Sequence, residues 1–166
     1  ISFAYLINYN NQEVLVVNNH FESNHLSEAD KQGYKDMVRA PFEGSTTKTE
    51  SERILDKLGR AAIIRAPQVD AVAAYVKKHL DRKIPVILCG DFNDTPISYA
   101  RRRIQGQLRD AYVESGKGVG ISYNGNMFWF RIDHILHSPN MTAYRATVDR
   151  VKLSDHYPVW CYLKPD

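Results

Sequence analysis

The sequence predicts an α/β or α+β sandwich in which helices cover the sheet faces. Three observations carry that expectation. The chain opens on a hairpin-like pair of apolar runs, continues into a long amphipathic helical stretch, and closes on a series of strand-like runs separated by turn residues. At 166 residues and 43% hydrophobic it is long enough for one core-bearing domain and too short for two.

Residues 2–9 and 13–19 are rich in Tyr, Ile, Val and Leu, and Asn10-Asn11-Gln12 between them is turn chemistry, which predicts a β-hairpin. Its second strand runs into Asn18-Asn19-His20-Phe21. Ser27 with Asp30 has the pattern of a helix N-cap and first turn, and charged residues then dominate as far as Arg39. Pro41 to Thr47 reads as a loop. A helical region follows from about Thr49 to Leu80, with Ile54, Leu55, Leu58 and Ala62 on one face and Val69, Val72, Ala73, Val76 and Leu80 on the next. Pro67 is expected to kink it or to begin a second helix. Val86 to Gly90 is an apolar strand, and Ser98 to Gln105 a short helix carrying Arg101-Arg102-Arg103. Gly116, Gly118 and Gly120 mark a loop, after which strands are expected at about 121–124, 128–136, 142–151 and 157–163.

The balance of 22 Lys+Arg against 19 Asp+Glu gives a net charge of +3 and a pI near 8.8, which permits polyanionic substrates without marking a dedicated nucleic-acid binder. Cys89 and Cys161 lie in apolar strand contexts and are expected to be buried free thiols. Neither a CxxC pair nor zinc-finger spacing occurs, which argues against a structural zinc site. There is no apolar run of membrane-spanning length and no signal-peptide pattern. The chain starts without Met, directly in a strand-like run, and is expected to be a segment of a longer protein, so the compartment stays open.

The chemistry gathers at strand ends. Gly90-Asp91-Phe92-Asn93 delivers a carboxylate and a carboxamide just past a buried strand, and such oxygens suit a hard cation such as Mg²⁺. The competing interpretation is a simple turn. Asp155-His156, before Tyr157-Pro158-Val159, sets a carboxylate beside an imidazole, the pairing that water activation needs; capping of a turn is its competitor. Asp133 in Arg131-Ile132-Asp133-His134-Ile135 is placed to orient a histidine, or to pair with Arg131. His20 ends a strand, as a phosphate contact or as a structural histidine. Arg101-Arg102-Arg103 reads as a solvated helix face before it reads as a polyanion site. Trp129 and Phe130 offer a stacking platform, with core packing expected for at least one.

Taken in order, these segments closely resemble the endonuclease/exonuclease/phosphatase superfamily, the DNase I-like phosphoesterases. Gly90-Asp91-Phe92-Asn93, Arg131-Ile132-Asp133-His134-Ile135 and Ser154-Asp155-His156-Tyr157-Pro158-Val159 match its signatures. Asn18-Asn19-His20-Phe21 is a looser match, and Arg65-Ala66-Pro67-Gln68 resembles the Arg-x-x-Gln of the helix before the Gly-Asp-Phe-Asn strand. The resemblance implies a two-sheet sandwich flanked by helices, here partial, and one domain over residues 1–166. It also implies Mg²⁺ or Mn²⁺ as cofactor, with Asp91, Asn93 and Asp155 holding the metal and Asn93 also positioning the phosphate or nucleophile. His156 would act as base or phosphate contact, oriented by Asp133, and His20 would bond the scissile phosphate.

The substrate class implied is a phosphoester, whether nucleic acid, phospholipid or small phosphate ester. One part of the pattern is missing. The Gln-Glu motif, whose glutamate is a principal metal ligand in the family, has no matching position, because Gln12-Glu13 sits in the hairpin turn. The chain is therefore expected to leave apolar surface uncovered, to be weakly active alone or to self-associate, and to meet a membrane only through a segment upstream. A non-catalytic binding or scaffold module of the same fold is the alternative.

Overall fold

The computed structural model describes residues 1–39, 48–125 and 128–166. Strand β1 (Ser2–Tyr9) and strand β2 (Gln12–His20) form the expected hairpin, with Asn10 and Asn11 both at positive φ, 52° and 62°. Asn tolerates that left-handed conformation, which a two-residue hairpin turn requires. Helix α1 (Glu28–Arg39) starts at a reciprocal cap. The Asp30 amide donates to Ser27 Oγ at 3.2 Å and the Ser27 amide to Asp30 Oδ2 at 2.9 Å. The loop expected at 41–47 lies outside the described residues.

Helix α2 (Lys48–Asp81) runs unbroken through Pro67, where a kink or a new start was expected. Proline removes one amide donor and crowds the carbonyl four residues earlier. Here Pro67 and Ile63 both lie on the solvent side, Ile63 at 74% exposure, so water can serve the freed carbonyl. The C-terminal half of α2 buries Val69, Ala73 and Val76 as expected, with Val72 and Leu80 half-buried beside them. The N-terminal half differs: Ile54 and Ala61 are buried, Leu58 is half-buried, and Leu55 and Ala62 are exposed. That half leans on α1 rather than on a sheet, so its inner face is rotated from the one the hydrophobic spacing gave.

Strand β3 (Val86–Asp91) is followed by helix α3 (Tyr99–Gln105), capped by Ser98, and then by strand β4 (Arg109–Asp110) and helix α4 (Ala111–Ser115). The last two were not expected; the Asp110 carboxylate builds α4 by accepting from the Tyr112 and Val113 amides. Strands β5 (Tyr123–Gly125), β6 (Phe128–Phe130), β7 (Asp133–His137), β8 (Met141–Val148) and β9 (Val159–Pro165) complete the chain. The single strand expected at 128–136 is divided in two at Arg131-Ile132.

Among the described residues, one sheet has the order β1-β2-β3-β7-β4, with β2 and β3 parallel and the rest antiparallel. Leu15, Val17, Val86, Leu88 and Leu136 on one face meet Val69, Ala73 and Val76 of α2 and Ala100 and Ile104 of α3, forming the main core. On the other face Ile135 packs against Ala143, Cys161 and Leu163 of the β8-β9 pair, which makes the second layer. That layer covers β7 and leaves β1 bare. Every residue of β1 is exposed, including Phe3 and Tyr5 at 55% and Leu6 at 51%. Cys89 and Cys161 are free but half-buried rather than buried, and burial pushes the Cys161 thiol up to about 11. Among the described residues no helix is long and apolar enough to cross a membrane.

Candidate active site

Parallel pairing of β2 and β3 sets His20 opposite Asp91, and antiparallel pairing of β3 and β7 sets Asp91 opposite Asp133. Three sequence-distant polar groups thus arrive at one end of one sheet. Gly90 makes this register attainable. Its φ is +127°, and a Cβ there would sit 1.9 Å from the Asn19 carbonyl oxygen. Only glycine fits, which is a physical reason for the Gly before Asp91.

Past β3 the chain turns through Asn93 at φ 50°, a left-handed position that Asn tolerates. The Asn93 amide donates to Asp91 Oδ1 at 2.7 Å, and its side-chain nitrogen donates to the Phe21 carbonyl at 3.0 Å. With Oδ1 so engaged, Asp91 Oδ2 lies 3.7 Å from His20 Nε2 and 3.9 Å from His156 Nε2. His156 Nδ1 in turn is 2.8 Å from Asp133 Oδ2. Asp133 does not pair with Arg131, whose guanidinium goes to Asp110 instead.

Electrostatics follow from this crowding. Burial, with the neighbouring Asp133 charge, raises the Asp91 carboxyl above its ordinary range, against the pull of the Asn93 amide and the two histidines. The hydrogen bond that His156 Nδ1 donates to Asp133 raises the imidazole above its ordinary range, aided by the charges of Asp133, Asp91 and Asp155, and burial opposes it only in part. Two carboxylates facing each other across a ladder are mutually destabilising unless a positive group lies between them. Asp91, Asp133 and His156 place one ligand atom each within 4.8 Å of one another, a donor set rich in hard oxygen that fits a divalent cation.

Asp155 departs from the expected arrangement. It is exposed, accepts from Ser154 Oγ at 3.1 Å, and lines the same cavity without joining that cluster. The segment 155–157 is tethered to β5 instead: the Asn124 amide donates to the Asp155 carbonyl at 2.8 Å and the Tyr157 amide to the Ser122 carbonyl at 2.7 Å.

Supporting residues that the sequence reading passed over hold this end of the sheet. Ser122 is fully buried, and its Oγ accepts from the amides of Ile132 and Asp133 at 3.1 and 3.0 Å. No motif announces a lone serine in a glycine-rich loop. Arg65, 2% exposed, gathers the loops after β2 and β3. Its Nε donates to the Glu22 carbonyl at 3.0 Å, Nη2 to Asn24 Oδ1 at 2.6 Å and Nη1 to Asp94 Oδ2 at 2.6 Å, while Gln68 Oε1 accepts from the Glu22 amide at 3.0 Å. The Arg-x-x-Gln segment was legible, but not this clasp.

Arg101 is likewise no solvated residue. It is 3% exposed and pairs with buried Asp110, which Arg131 also contacts at 3.1 Å. The two guanidinium groups hold Asp110 below the ordinary carboxyl range although burial pushes it up. Burial, with Arg101 and Arg131 nearby, brings the His134 imidazole down to about 3. Arg103 pairs with Asp70 at 2.7 Å. Phe130 is half-buried and lines the site cavity, whereas Trp129 is 59% exposed and donates to Asn124 at 2.8 Å.

The sequence model of the Endonuclease/Exonuclease/phosphatase family matches residues 15–156, a span that holds every one of these site groups. The chain belongs to that family. Among solved structures, the beta toxin of Staphylococcus aureus is similar at 15% identity and a TM-score of 0.60, with 97% of this chain and 56% of that one covered. The human Nocturnin catalytic domain is similar at 14% identity and a TM-score of 0.57, with 99% and 52% covered. Sphingomyelinase C from Streptomyces griseocarneus is similar at 20% identity and a TM-score of 0.52, with 95% and 56% covered. At such identities the likeness is one of fold, and it supports the DNase I-like sandwich. The chain spans about half the length of each. No curated protein matches it.

Proposed function

We propose that this family member contributes one wall of a divalent-metal-dependent phosphoester hydrolase site, acting by in-line attack of water. The observation that carries the proposal is the placement of Asp91 Oδ2 between the Nε2 atoms of His20 and His156, with Asp133 fixing the far side of the His156 ring. A bound Mg²⁺ or Mn²⁺ would neutralise charge developing on the phosphoryl oxygens and lower the pKa of a coordinated water.

The chain's own groups divide the remaining work. Asp91 and Asp133 supply carboxylate oxygen toward the cation, and Asn93, beside Asp91, positions the phosphate or the nucleophile. With Nδ1 donating to Asp133, His156 Nε2 is left to face the cavity and take or hold a proton. His20, two-thirds exposed, reaches a phosphate oxygen from the opposite side. Asp155 sits at the cavity rim, where it is proposed to reach the cation through water or on a small movement of its loop. A glutamate ligand from outside the chain would complete the set, so turnover by the chain alone is expected to be slow. A scaffold role predicts no need for the relay from Asp133 through His156 toward Asp91, and its presence favours the enzyme.

The test is hydrolysis of bis(p-nitrophenyl) phosphate and p-nitrophenyl phosphate at high protein concentration, with Mn²⁺, with Mg²⁺ and with EDTA. Slow, metal-dependent turnover that disappears in folded His156→Ala and Asp91→Asn is expected. Turnover unchanged by EDTA or by either substitution refutes the proposal, as does the absence of both turnover and metal affinity.

A further inference from the structure

The site lies in a cavity of about 500 Å³ whose lining runs from Asp91 and His156 to Lys31 and Tyr34 of helix α1. That volume falls within the range of roughly 300–1,000 Å³ that suits small organic ligands.

The walls differ in character from the floor. Leu26, Leu58 and Ala62 supply an aliphatic side, and Tyr123 and Phe130 an aromatic one. Tyr123 stands edge-on to His156, with ring centroids 5.0 Å apart, so the aromatic wall begins where the phosphate chemistry ends. Lys31 projects into this apolar end. The Lys31 side chain is 18% exposed; its Nζ donates to Glu28 at 2.7 Å and to the Tyr123 hydroxyl at 3.1 Å, and lies 5.8 Å from the Tyr123 ring centroid.

The roof is fixed rather than loose. Asp30 of α1 is fully buried against α2, paired with Lys57 and, at 2.9 Å, with Arg53. Those bonds hold its carboxyl far below the ordinary range. Gly33 lies against α2 as well: a Cβ there would come 2.9 Å from Glu50 Oε1 and 3.2 Å from Ile54 Cδ1. This docking also explains why Leu58 and Ala62, expected on one apolar face of the helix, border a cavity.

We propose that the cavity selects, among phosphoesters, small ones whose ester group is a compact ring system of nucleoside size. The ring would lie between the aliphatic wall and the Tyr123 and Phe130 rings, with Lys31 meeting an acceptor on its edge. The inference rests on the phosphoester reading of the floor and adds the substrate class to it. Duplex nucleic acid and a lipid headgroup held at a bilayer are the competing occupants, and the binding comparison below separates them.

The test is isothermal titration of the chain in Mn²⁺ with inorganic phosphate and with adenosine 5′-monophosphate. The nucleotide is expected to bind at least ten-fold more tightly than phosphate. Ala62→Phe, at an exposed helix position where the fold tolerates bulk, fills the cavity and is expected to abolish that preference while leaving phosphate binding unchanged. Lys31→Ala is expected to reduce the preference and spare phosphate as well.

Phosphate binding with no preference for the nucleotide, or a preference that survives Ala62→Phe, overturns the cavity inference and leaves the floor intact. Failure of both ligands to bind overturns the phosphoester reading and the inference with it. Tighter binding of a 12-base-pair DNA duplex or of phosphatidylserine vesicles than of the nucleotide, unaffected by Ala62→Phe, also overturns the inference.

Discussion

Replacing Arg65 by alanine removes three hydrogen bonds at once, to the Glu22 carbonyl, Asn24 Oδ1 and Asp94 Oδ2. The guanidinium is 3% exposed and its carboxylate partner 25% exposed, so the pair is buried on one side and partly wet on the other. Removing one member of a buried ion pair costs about 3–5 kcal/mol. Water reaching Asp94 places the loss near the lower end, about 3 kcal/mol. For a chain of this size each kcal/mol lowers Tm by about 2–4 °C, so Arg65→Ala is expected to melt roughly 6–12 °C below the parent.

The loss is also local in character. Arg65 ties the loop after β2 to the loop after β3, and His20 and Asn93 flank those loops, so amide exchange at residues 21–24 and 93–95 is expected to accelerate more than in the β3 core. Arg65→Lys keeps the charge but not the planar fork, and is expected to recover less than half of the loss. A Tm drop under 2 °C by circular dichroism, with loop exchange unchanged, would falsify the assignment of Arg65 as the clasp.

Asp110→Ala leaves buried Arg101 and half-buried Arg131 without their carboxylate and removes the cap of α4, so urea unfolding is expected to show a loss of about 3–5 kcal/mol, against little loss for an exposed control such as Asp56→Ala. His134 titrates near 3 in the fold and near 6.5 when unfolded, so the stabilisation it gives is complete above pH 6.5 and fades as pH falls toward 3. His134→Gln is expected to flatten the acid limb of the stability–pH curve. Because Asp91 and His156 both hold protons to higher pH than ordinary groups of their kind, protons compete with metal, and Mn²⁺ affinity by titration calorimetry is expected to rise between pH 5.5 and 7.5. The uncharged edge strand β1, exposed throughout, is expected to drive concentration-dependent association in sedimentation experiments, and Ile7→Lys to suppress it.

Much of the architecture was legible because local pattern and tertiary demand agree. Alternating apolar runs around Asn10-Asn11 become the hairpin, Ser27 and Asp30 become a cap, and the apolar run 86–90 becomes the central strand. The site was legible for a different reason: Asp91, Asp133 and His156 sit at strand ends whose pairing converges on one point. What escaped depends on partners far away in sequence. Nothing near Arg101 distinguishes it from Arg102 or Arg103; its burial is set by Asp110 across the β4 turn. Hydrophobic spacing put Leu55, Leu58 and Ala62 on one face with Ile54, because a helix period cannot say that α1, rather than a sheet, packs alongside them. Asp155 and His156 both line the cavity, but the chain bends at 154–155 and only the imidazole comes within 4 Å of Asp91.

The proposed site has Asp91 and Asp133 holding the cation with His156 and His20 facing it, and substoichiometric Mn²⁺ followed by proton NMR tests that placement most directly. Paramagnetic broadening is expected first in the ring resonances of His156 and His20, with His79 unaffected, and Asp91→Asn is expected to abolish it while the amide spectrum stays native. Broadening that begins elsewhere, or that persists in Asp91→Asn, would contradict the site.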